Sequence, residues 1–354
     1  MTTSIRRATS TVVCATLAVV LAACGSAPTA ASTGTTVAVD VGTDRPVQLP
    51  TGPLRVGIFM NAQSNQWQQN LADAAARTAE SFGWEATVVE FNFDQQRMTE
   101  ALLSAATNHT YDAVAIVPID GQQSCRMLTE TLPQNDILVT VGGTTVCGRD
   151  SETGDGQWAP GTYSYHTVAP SYDYARLFVE NTAELFPGPQ KAVFVVGPEQ
   201  NGNTIVMHQL ADQGVGGPGL QVVDFINTDY TTPTTFAAVQ NYLQAHPDTN
   251  VLLSVYSPDL SRGVVQALES LDLVGKVKVT DMGGSQYSID QIRAGAIQLT
   301  MPYYPVTIGQ NMVQAIKDAQ DGRPPVRVVD EIPGGLANTP VVTAENVDTF
   351  DAQF

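Results

Sequence analysis

Residues 54–91 read LRVGIFMNAQSNQWQQNLADAAARTAESFGWEATVVEF and decide the fold that we predict for the chain. An apolar run over residues 54–60 predicts a buried strand, and residues 86–91 predict a second one. The intervening residues are apolar at spacings of three and four, which predicts an amphipathic helix through Trp67, Leu71, Ala75, Ala79 and Phe82. Two parallel strands joined through a helix form a right-handed crossover unit. The stretch therefore indicates an α/β protein with a parallel sheet.

The loop after the first predicted strand is a candidate ligand site. Open α/β sheets bind ligands at the carboxyl ends of their strands, and this loop carries Asn65 and Trp67. An amide beside a flat apolar ring suits a small molecule with one polar and one apolar side. Two structural roles remain open, since Asn65 can cap the helix and Trp67 can belong to the core.

The same strand–helix alternation continues along the chain in two sets. The first set reaches Gly143, and the second begins at Tyr163 after a segment rich in Gly and Thr. A last amphipathic helix contains Gly309, which allows close packing against a neighbour. The repeated plan predicts two doubly wound parallel-sheet lobes with a cleft between them.

The start of the chain resembles an export signal. Arg6 and Arg7 precede an apolar core over residues 11–21, which is too short to span a bilayer comfortably. The sequence Leu21-Ala22-Ala23-Cys24 resembles the lipobox of bacterial lipoproteins, which implies a signal peptide over residues 1–23 and lipidation at Cys24. An ordinary secretory signal with a chance cysteine is the alternative. Residues 24–53 are rich in small and polar residues, and we expect a flexible tether there.

Composition excludes several classes of function. The chain has 354 residues, 43% of them hydrophobic, which is enough for two domains, and a formal net charge of −18. Such an acidic surface argues against nucleic acid and against electrostatic docking on anionic lipid. The four histidines show no metal-ligand spacing, and no nucleophile elbow or phosphate-binding loop occurs. We therefore expect a protein that is not an enzyme and has no cofactor and no metal.

Cys125 and Cys147 form the remaining cysteine pair if Cys14 leaves with the signal and Cys24 is lipidated. In an exported protein such a pair predicts a disulfide, which would stabilise the fold by roughly 3 kcal/mol. Two separate buried thiols are the alternative.

Three strings resemble the type I periplasmic binding proteins, most closely the ribose-binding, pentose/hexose branch. These strings are Asn65-Gln66-Trp67, the helix end over residues 240–248, and Ser257-Pro258-Asp259 with Gly263. The likeness extends from Leu54 to about Val328. It implies a monomeric extracytoplasmic lipoprotein that captures a sugar-like solute between its lobes and delivers it to an ABC importer.

The resemblance also implies how the chain divides. The family crosses between lobes three times, and we expect crossings near residues 166–169, near residues 302–303, and past Val328. The amino-terminal lobe would then contain residues 54–166 and 303–328, and the carboxyl-terminal lobe residues 167–302 and 329–354.

Ten positions are implied as ligand contacts by the resemblance and by their place after predicted strands. They are Asn65, Trp67, Asp120, Gly143, His208, Tyr230, Ser257, Asp281, Met282 and Tyr303. The family's Asp-Arg pair is replaced by Gly143-Thr144, and its later acid by Gly283, with Asp281 close enough to substitute. The loss of these charges predicts a solute less polar than ribose.

Several of these positions also have a purely structural interpretation. Asp120 and Ser257 are typical helix caps, Tyr230 lies in a loop, Tyr303 adjoins a hinge, and His208 is a typical helix-surface residue. At the level of function, a sensor that signals to a membrane kinase is the alternative, followed by a secreted hydrolase on the same two-lobed frame.

Overall fold

The computed structural model describes residues 35–167, 172–255, 258–330 and 341–354. The predicted signal peptide, the lipidation at Cys24 and the predicted ligand contact at Ser257 lie outside these residues. Two six-stranded sheets dominate the described part of the chain. We call the regions built on them the amino lobe and the carboxyl lobe.

The strands of the described residues, in chain order, are β1 Thr36–Val39, β2 Val47–Pro50, β3 Arg55–Met60, β4 Glu85–Glu90, β5 Ala113–Val117, β6 Leu138–Gly142, β7 Ser164–Thr167, β8 Gln190–Val196, β9 Leu220–Asn227, β10 Val251–Ser254, β11 Lys278–Gly283, β12 Leu299–Pro302, β13 Val328–Asp330 and β14 Val342–Thr343. The α-helices are α1 Gln66–Ser81, α2 Gln95–Asn108, α3 Gly121–Arg126, α4 Leu132–Gln134, α5 Tyr172–Leu185, α6 Gly202–Asp212, α7 Thr232–Ala245, α8 Pro258–Ser270, α9 Gln286–Ala294 and α10 Pro305–Gln320.

Both sheets are wound in the same way. The amino lobe has the strand order β13-β7-β6-β5-β3-β4 with parallel pairing throughout. The carboxyl lobe has the order β14-β12-β11-β10-β8-β9, and only β14 runs antiparallel to its neighbour. Central strands such as β5 and β10 are buried along their whole length, as strands covered by helices on both faces must be. The predicted α/β class with two doubly wound lobes is confirmed.

Helices α1 and α10 show how the sequence closes one face of the amino lobe. The apolar residues of α1 that are spaced three and four positions apart, including Leu71 and Ala75, are buried. A Cβ atom at Gly309 of α10 would lie 2.3 Å from the Leu71 carbonyl oxygen. Glycine at this position therefore lets the two helices approach closely, as the sequence indicated.

The strand pairings show to which lobe each segment belongs. Strand β7 lies in the amino sheet and β12 in the carboxyl sheet, whereas α10 packs on α1 in the amino lobe. Strand β13 pairs with β7, so the amino sheet continues through Asp330. Strand β14 returns to the carboxyl sheet beside β12.

The first described residues differ from the flexible tether that we expected over residues 24–53. Strands β1 and β2 form an antiparallel hairpin, and Val39, Val47 and Leu49 of this hairpin are buried. The Arg45 Nη2 atom donates to both oxygens of the Asp136 carboxylate, at 3.0 and 2.9 Å, which ties the hairpin to the amino lobe. The prediction was wrong for this part because it was based on the small and polar composition of the segment. Apolar and polar residues alternate within it, and this alternation indicates a half-buried strand.

Candidate functional site

The candidate site lies where the carboxyl ends of the two sets of parallel strands face each other. In open α/β sheets, loops at these strand ends are free to bind ligands because the strands themselves are covered by helices. Strands β7 and β12 carry the chain towards the crossings and lie second from one edge of their sheets. Strands β4 and β9 form the opposite edges. The loops after β4 and β9 therefore lie farthest from the crossings.

The loop after β3 is held by side-chain amides. The Asn61 Oδ1 atom accepts hydrogen bonds from the Ala62 backbone N–H at 2.8 Å and from the Gln68 side chain at 3.0 Å. The Asn65 Oδ1 atom accepts from the Gln68 backbone N–H at 3.0 Å and caps α1. This network fixes the first turn of α1, and with it the position of Trp67.

Trp67 has an apolar face and a buried donor in the same side chain. Its Nε1 atom is buried and makes no hydrogen bond to the described residues, although the side chain as a whole is only partly buried. A Cβ atom at Gly143 would lie 3.5 Å from Trp67 Cη2, and Gly143 has a positive φ of 73°. The structure thus brings Trp67 and Gly143 together at the carboxyl ends of β3 and β6.

Phe93 and Tyr230 meet from opposite lobes. Their ring centroids are 6.0 Å apart and the ring planes differ by 26°, so the two rings are stacked. Phe93 has a φ of 59° and Tyr230 a φ of 64°, a left-handed conformation that is uncommon for non-glycine residues. Such backbone strain persists where surrounding contacts hold it, and it concentrates at functional sites.

Backbone contacts hold both rings in place. The Phe93 N–H donates to the Asn61 carbonyl oxygen at 2.8 Å. The Tyr230 N–H donates to Thr228 Oγ1 at 3.1 Å. A Cβ atom at Gly197 would lie 2.1 Å from two ring carbons of Tyr230, so the ring rests directly on this glycine. Burial raises the pKa of Tyr230, and its hydroxyl stays neutral.

The loop after β6 also reaches the carboxyl lobe. A Cβ atom at Gly202, the first residue of α6, would lie 3.0 Å from Thr144 Cγ2 and 3.2 Å from Asp150 Oδ1. Thr145 donates a hydrogen bond of 2.8 Å to Asp150 Oδ1. Burial raises the pKa of Asp150, and the nearby Asp120 adds to the effect. Asp120 itself caps α3 by accepting from the Gln123 N–H at 2.9 Å.

The crossing after β12 contributes two buried tyrosines. The Tyr303 N–H donates to the Gly283 carbonyl oxygen at 2.8 Å, and the ring centroid of Tyr303 lies 6.2 Å from that of Tyr174. The Tyr304 hydroxyl is buried without a hydrogen bond to the described residues. Gly283 is buried, yet a Cβ atom there would meet no heavy atom of the described chain within 4 Å. Gly283 and Tyr303 thus lie side by side at the crossing after β12.

Three predicted contacts are engaged in packing inside the carboxyl lobe. The His208 ring stacks on Phe225 with centroids 3.8 Å apart, and its Nε2 atom lies 3.2 Å from Glu199 Oε2. The fully buried Asp281 accepts a hydrogen bond of 2.6 Å from Ser288 Oγ, and burial raises its pKa. Met282 is fully buried in the same hydrophobic core.

Phe93 and Asp150 are the residues that sequence reasoning missed. Phe93 stands directly before the helix-capping Asp94, so the local sequence indicated only a helix start. Asp150 lies in the Gly- and Thr-rich segment for which no element was predicted. Phe93 meets Tyr230 and Asp150 lies near Gly202 of the other lobe, and no local sequence pattern records contacts between lobes.

Cys125 of helix α3 and Cys147 of the loop after β6 lie close together. The Cα atoms of Cys125 and Cys147 are 4.7 Å apart, within the range that a disulfide requires. The Cys147 N–H also donates to the Gly121 carbonyl oxygen at 3.1 Å. The loop after β6 is thus held against the first turn of α3.

Across the four described ranges of the chain, no group of three or more His, Cys, Asp or Glu side chains is arranged to hold a metal ion. None of the helices described is both long enough and apolar enough to span a membrane.

Comparison with known proteins identifies the class. Residues 56–324 match the family model described as a periplasmic binding protein domain, which covers most of the chain, and the protein belongs to this family. The family resemblance predicted from the sequence is confirmed. No functionally curated protein matches the sequence significantly.

Solved structures of solute-binding proteins share the fold. One from Bacillus halodurans, with bound myo-inositol, has a TM-score of 0.72 and 15% identity, covering 86% of this chain and 99% of its own. One from Mycobacterium smegmatis, with bound glycerol, has a TM-score of 0.71 and 21% identity, covering 86% and 98%. One from Actinobacillus succinogenes, with bound D-allose, has a TM-score of 0.70 and 17% identity, covering 84% and 100%. All three are described as ABC transporter proteins.

Proposed function

We propose that the protein is the solute-binding component of an ABC importer and captures a neutral sugar or polyol between its lobes. The observation that carries this proposal is the aromatic set at the facing strand ends, above all Trp67 with its buried, unbonded Nε1 donor. An aromatic face packs against the C–H groups of a sugar ring, while a buried donor binds one of its hydroxyls. The relatives with bound myo-inositol, glycerol and D-allose support a solute of this class.

The residues of the cleft favour a solute less polar than ribose. Gly143 and Gly283 stand where the family resemblance implied charged side chains, and they offer no bidentate contact to vicinal hydroxyls. The acids near the loops, Asp120 and Asp150, are engaged with Gln123 and Thr145. A cyclic, deoxygenated or methylated polyol matches this balance of rings and few charges.

We assign the ligand contacts to side chains from both lobes. Trp67, with Gly143 beneath it, forms the amino-lobe wall, and Tyr303 contributes a ring from the crossing after β12. Asn65 and Asp120 serve mainly as helix caps and position these walls. Ser257 stays a proposal on the family resemblance alone. The packing of His208, Asp281 and Met282 explains these three residues without a ligand.

The mechanism that we propose is closure about the crossings. A solute that contacts both lobes favours their closed arrangement by its difference in affinity for the closed and open forms. Hinge closure around a ligand is a common structural response, and the importer would recognise the closed form. Import is favoured over signalling to a membrane kinase because the solved relatives described above belong to transporters.

We further propose that Cys24 carries the lipid anchor outside the cytoplasmic membrane and that Cys125 and Cys147 form a disulfide. The first proposal rests on the sequence before Cys24, and the second on a Cα separation of 4.7 Å. Mass spectrometry of the native protein tests both. An unacylated amino-terminal peptide would contradict the anchor, and alkylation of Cys125 and Cys147 without prior reduction would contradict the disulfide.

A thermal-shift screen tests the proposed solute class, since a ligand that binds only the folded state raises its stability by mass action. The panel contains myo-inositol, D-allose, D-arabinose, D-ribose and glycerol, with D-glucuronate, glutamate and spermidine as charged comparisons. We expect a neutral cyclic compound to raise the melting temperature and to saturate one site by titration calorimetry. Stabilisation by charged compounds alone would contradict the proposed solute class. Tight binding of D-ribose would contradict the proposal that the solute is less polar than ribose.

A further inference from the structure

The stacked pair Phe93–Tyr230 has a position in the cleft that the proposed function does not use. Strands β4 and β9, which precede these residues, are the edge strands opposite β7 and β12. The chain passes from lobe to lobe on the side of β7 and β12, so the pair lies at the mouth of the cleft. Phe93 lies in the loop after the edge strand β4 of the amino sheet, and Tyr230 lies in the loop after the edge strand β9 of the carboxyl sheet.

The rings are too close together to hold a solute between them. A saturated ring sandwiched between two aromatic faces needs about 7–8 Å between them, twice the usual carbon–carbon contact distance of roughly 3.5–4.0 Å. The observed centroid separation is 6.0 Å, within the range of direct aromatic contact. Phe93 and Tyr230 therefore contact each other, and no solute ring fits between them.

Local contacts fix the positions of both rings. Phe93 and Tyr230 hold left-handed backbone conformations, which persist only where surrounding contacts stabilise them. The Tyr230 hydroxyl lies 3.5 Å from Asn201 Oδ1, and the ring lies against Gly197. The Phe93 backbone is tied to Asn61 at the end of the neighbouring strand β3. Exposure differs between the two, since Tyr230 is only 4% exposed and Phe93 is partly exposed.

We propose that Phe93 and Tyr230 form a gate that closes the mouth of the cleft and limits the solute to a single ring. The solute would lie between this gate and the crossings, next to Trp67 and Tyr303. A substituent that extends towards the mouth, such as the second ring of a disaccharide, is excluded by the ring contact. This inference deepens the proposed function and rests on it for the class of solute.

Phe93 is the residue to change because it is partly exposed and because the Tyr230 ring keeps its contact with Gly197 when Phe93 is removed. The assay measures dissociation constants of the full-length protein for its best single-ring ligand among myo-inositol, D-allose and D-arabinose, and for maltose, cellobiose and lactose. In Phe93→Ala we expect the preference for the single-ring ligand over the best disaccharide to fall at least tenfold. Phe93→Tyr keeps the ring, and Phe82→Ala removes a phenylalanine that packs edge-on against Trp84 at the end of α1. Both controls should keep the wild-type preference, and an unchanged preference in Phe93→Ala would overturn the gate.

A second measurement separates failure of the gate from failure of the proposed function. If the wild-type protein binds none of the sugars or polyols, the proposed function fails, and the gate is then tested by crosslinking. Phe93→Cys with Tyr230→Cys should be joined by a short bismaleimide, as identified by peptide mapping, whereas Phe82→Cys with Tyr230→Cys should not. Absence of the 93–230 crosslink in a folded double variant would overturn the gate regardless of the ligand.

Discussion

Gly197 shows how a single missing side chain shapes the candidate site. It follows β8 directly, and the Tyr230 ring occupies the space that a side chain at Gly197 would fill. The Gly197 carbonyl oxygen also accepts a hydrogen bond of 3.2 Å from the Asn227 side chain, which joins the loops after β8 and β9. The position of Tyr230 therefore depends on its neighbour as much as on its own contacts.

Gly197→Ala tests this dependence. The added methyl group would overlap the Tyr230 ring at 2.1 Å, so the ring must move away from Phe93. We expect the free energy of unfolding to fall by about 1–3 kcal/mol, the usual cost of overpacking, and solute affinity to fall at least severalfold. Urea unfolding and titration calorimetry measure the two effects. Gly52→Ala, where a Cβ atom meets nothing within 4 Å, is the control, and equal behaviour of the two variants would contradict the account.

At the scale of single elements, Asp281 links β11 to α9 through a buried carboxylate. Burial raises its pKa above the unfolded value of about 3.9, even though hydroxyl groups including Ser288 donate to it. The folded state therefore holds this proton more tightly than the unfolded state. Its contribution to stability is present below the unfolded pKa and is lost as pH rises through the raised folded pKa.

Asp281→Asn should remove this pH dependence. Between pH 3.5 and 7.5 we expect the stability of the wild type relative to this variant to decline as pH rises, because only the wild type must release a buried proton. Thermal unfolding at matched ionic strength measures the difference. Asp290→Asn, on the exposed side of α9, serves as the control. If the stability of the wild type relative to Asp281→Asn stayed constant or rose with pH, the raised pKa of Asp281 would be contradicted.

The hairpin β1–β2 is the element that changes our view of the amino-terminal segment. Leu49 is completely buried, and Arg327 donates to Asp40 Oδ2 at 2.7 Å while its guanidinium lies 4.4 Å from the Trp158 ring centroid. The Gly161 N–H donates to the Val41 carbonyl oxygen at 2.8 Å. These contacts make the hairpin part of the folded amino lobe.

Leu49→Ala distinguishes a folded hairpin from a flexible tether. Removing a fully buried leucine should lower the free energy of unfolding by about 2–5 kcal/mol. Gln48→Ala, at the adjacent and partly buried position of the same strand, should have a much smaller effect. Urea unfolding measures both variants. A neutral Leu49→Ala would show that residues 47–50 do not pack on the lobe.

The sequence sufficed for features that repeat locally. The three-and-four spacing in α1, the helix cap at Asn65 and the close packing at Gly309 are all present in the structure. The contact between Phe93 and Tyr230 could not be predicted, because these residues are far apart in sequence and meet only across the cleft. His208 was placed in the site by alignment, whereas its stacking on Phe225 depends on the register between α6 and β9.

At the scale of the whole molecule, two similar sheets place equivalent strand ends opposite each other. The carboxyl-terminal residues also reach both lobes, since the Gln286 N–H of α9 donates to the Phe354 carbonyl oxygen at 2.6 Å and Gln353 accepts from the Thr307 N–H of α10 at 3.2 Å. These contacts lie beside the crossing after β12. The connections between the two lobes are therefore concentrated on the side of the crossings, and a solute bound between the lobes lies beside them.

The most direct test of the account is calorimetric titration of the wild type and Trp67→Ala with the neutral cyclic ligand that the thermal screen identifies. We predict one saturable site in the wild type and at least tenfold weaker binding in Trp67→Ala, a loss of about 1.4 kcal/mol or more. Trp158→Ala, which removes a tryptophan packed against Arg327 instead, should keep the wild-type affinity. Undiminished affinity in Trp67→Ala, or the absence of any neutral ligand for the wild type, would contradict capture of a sugar-like solute between the lobes.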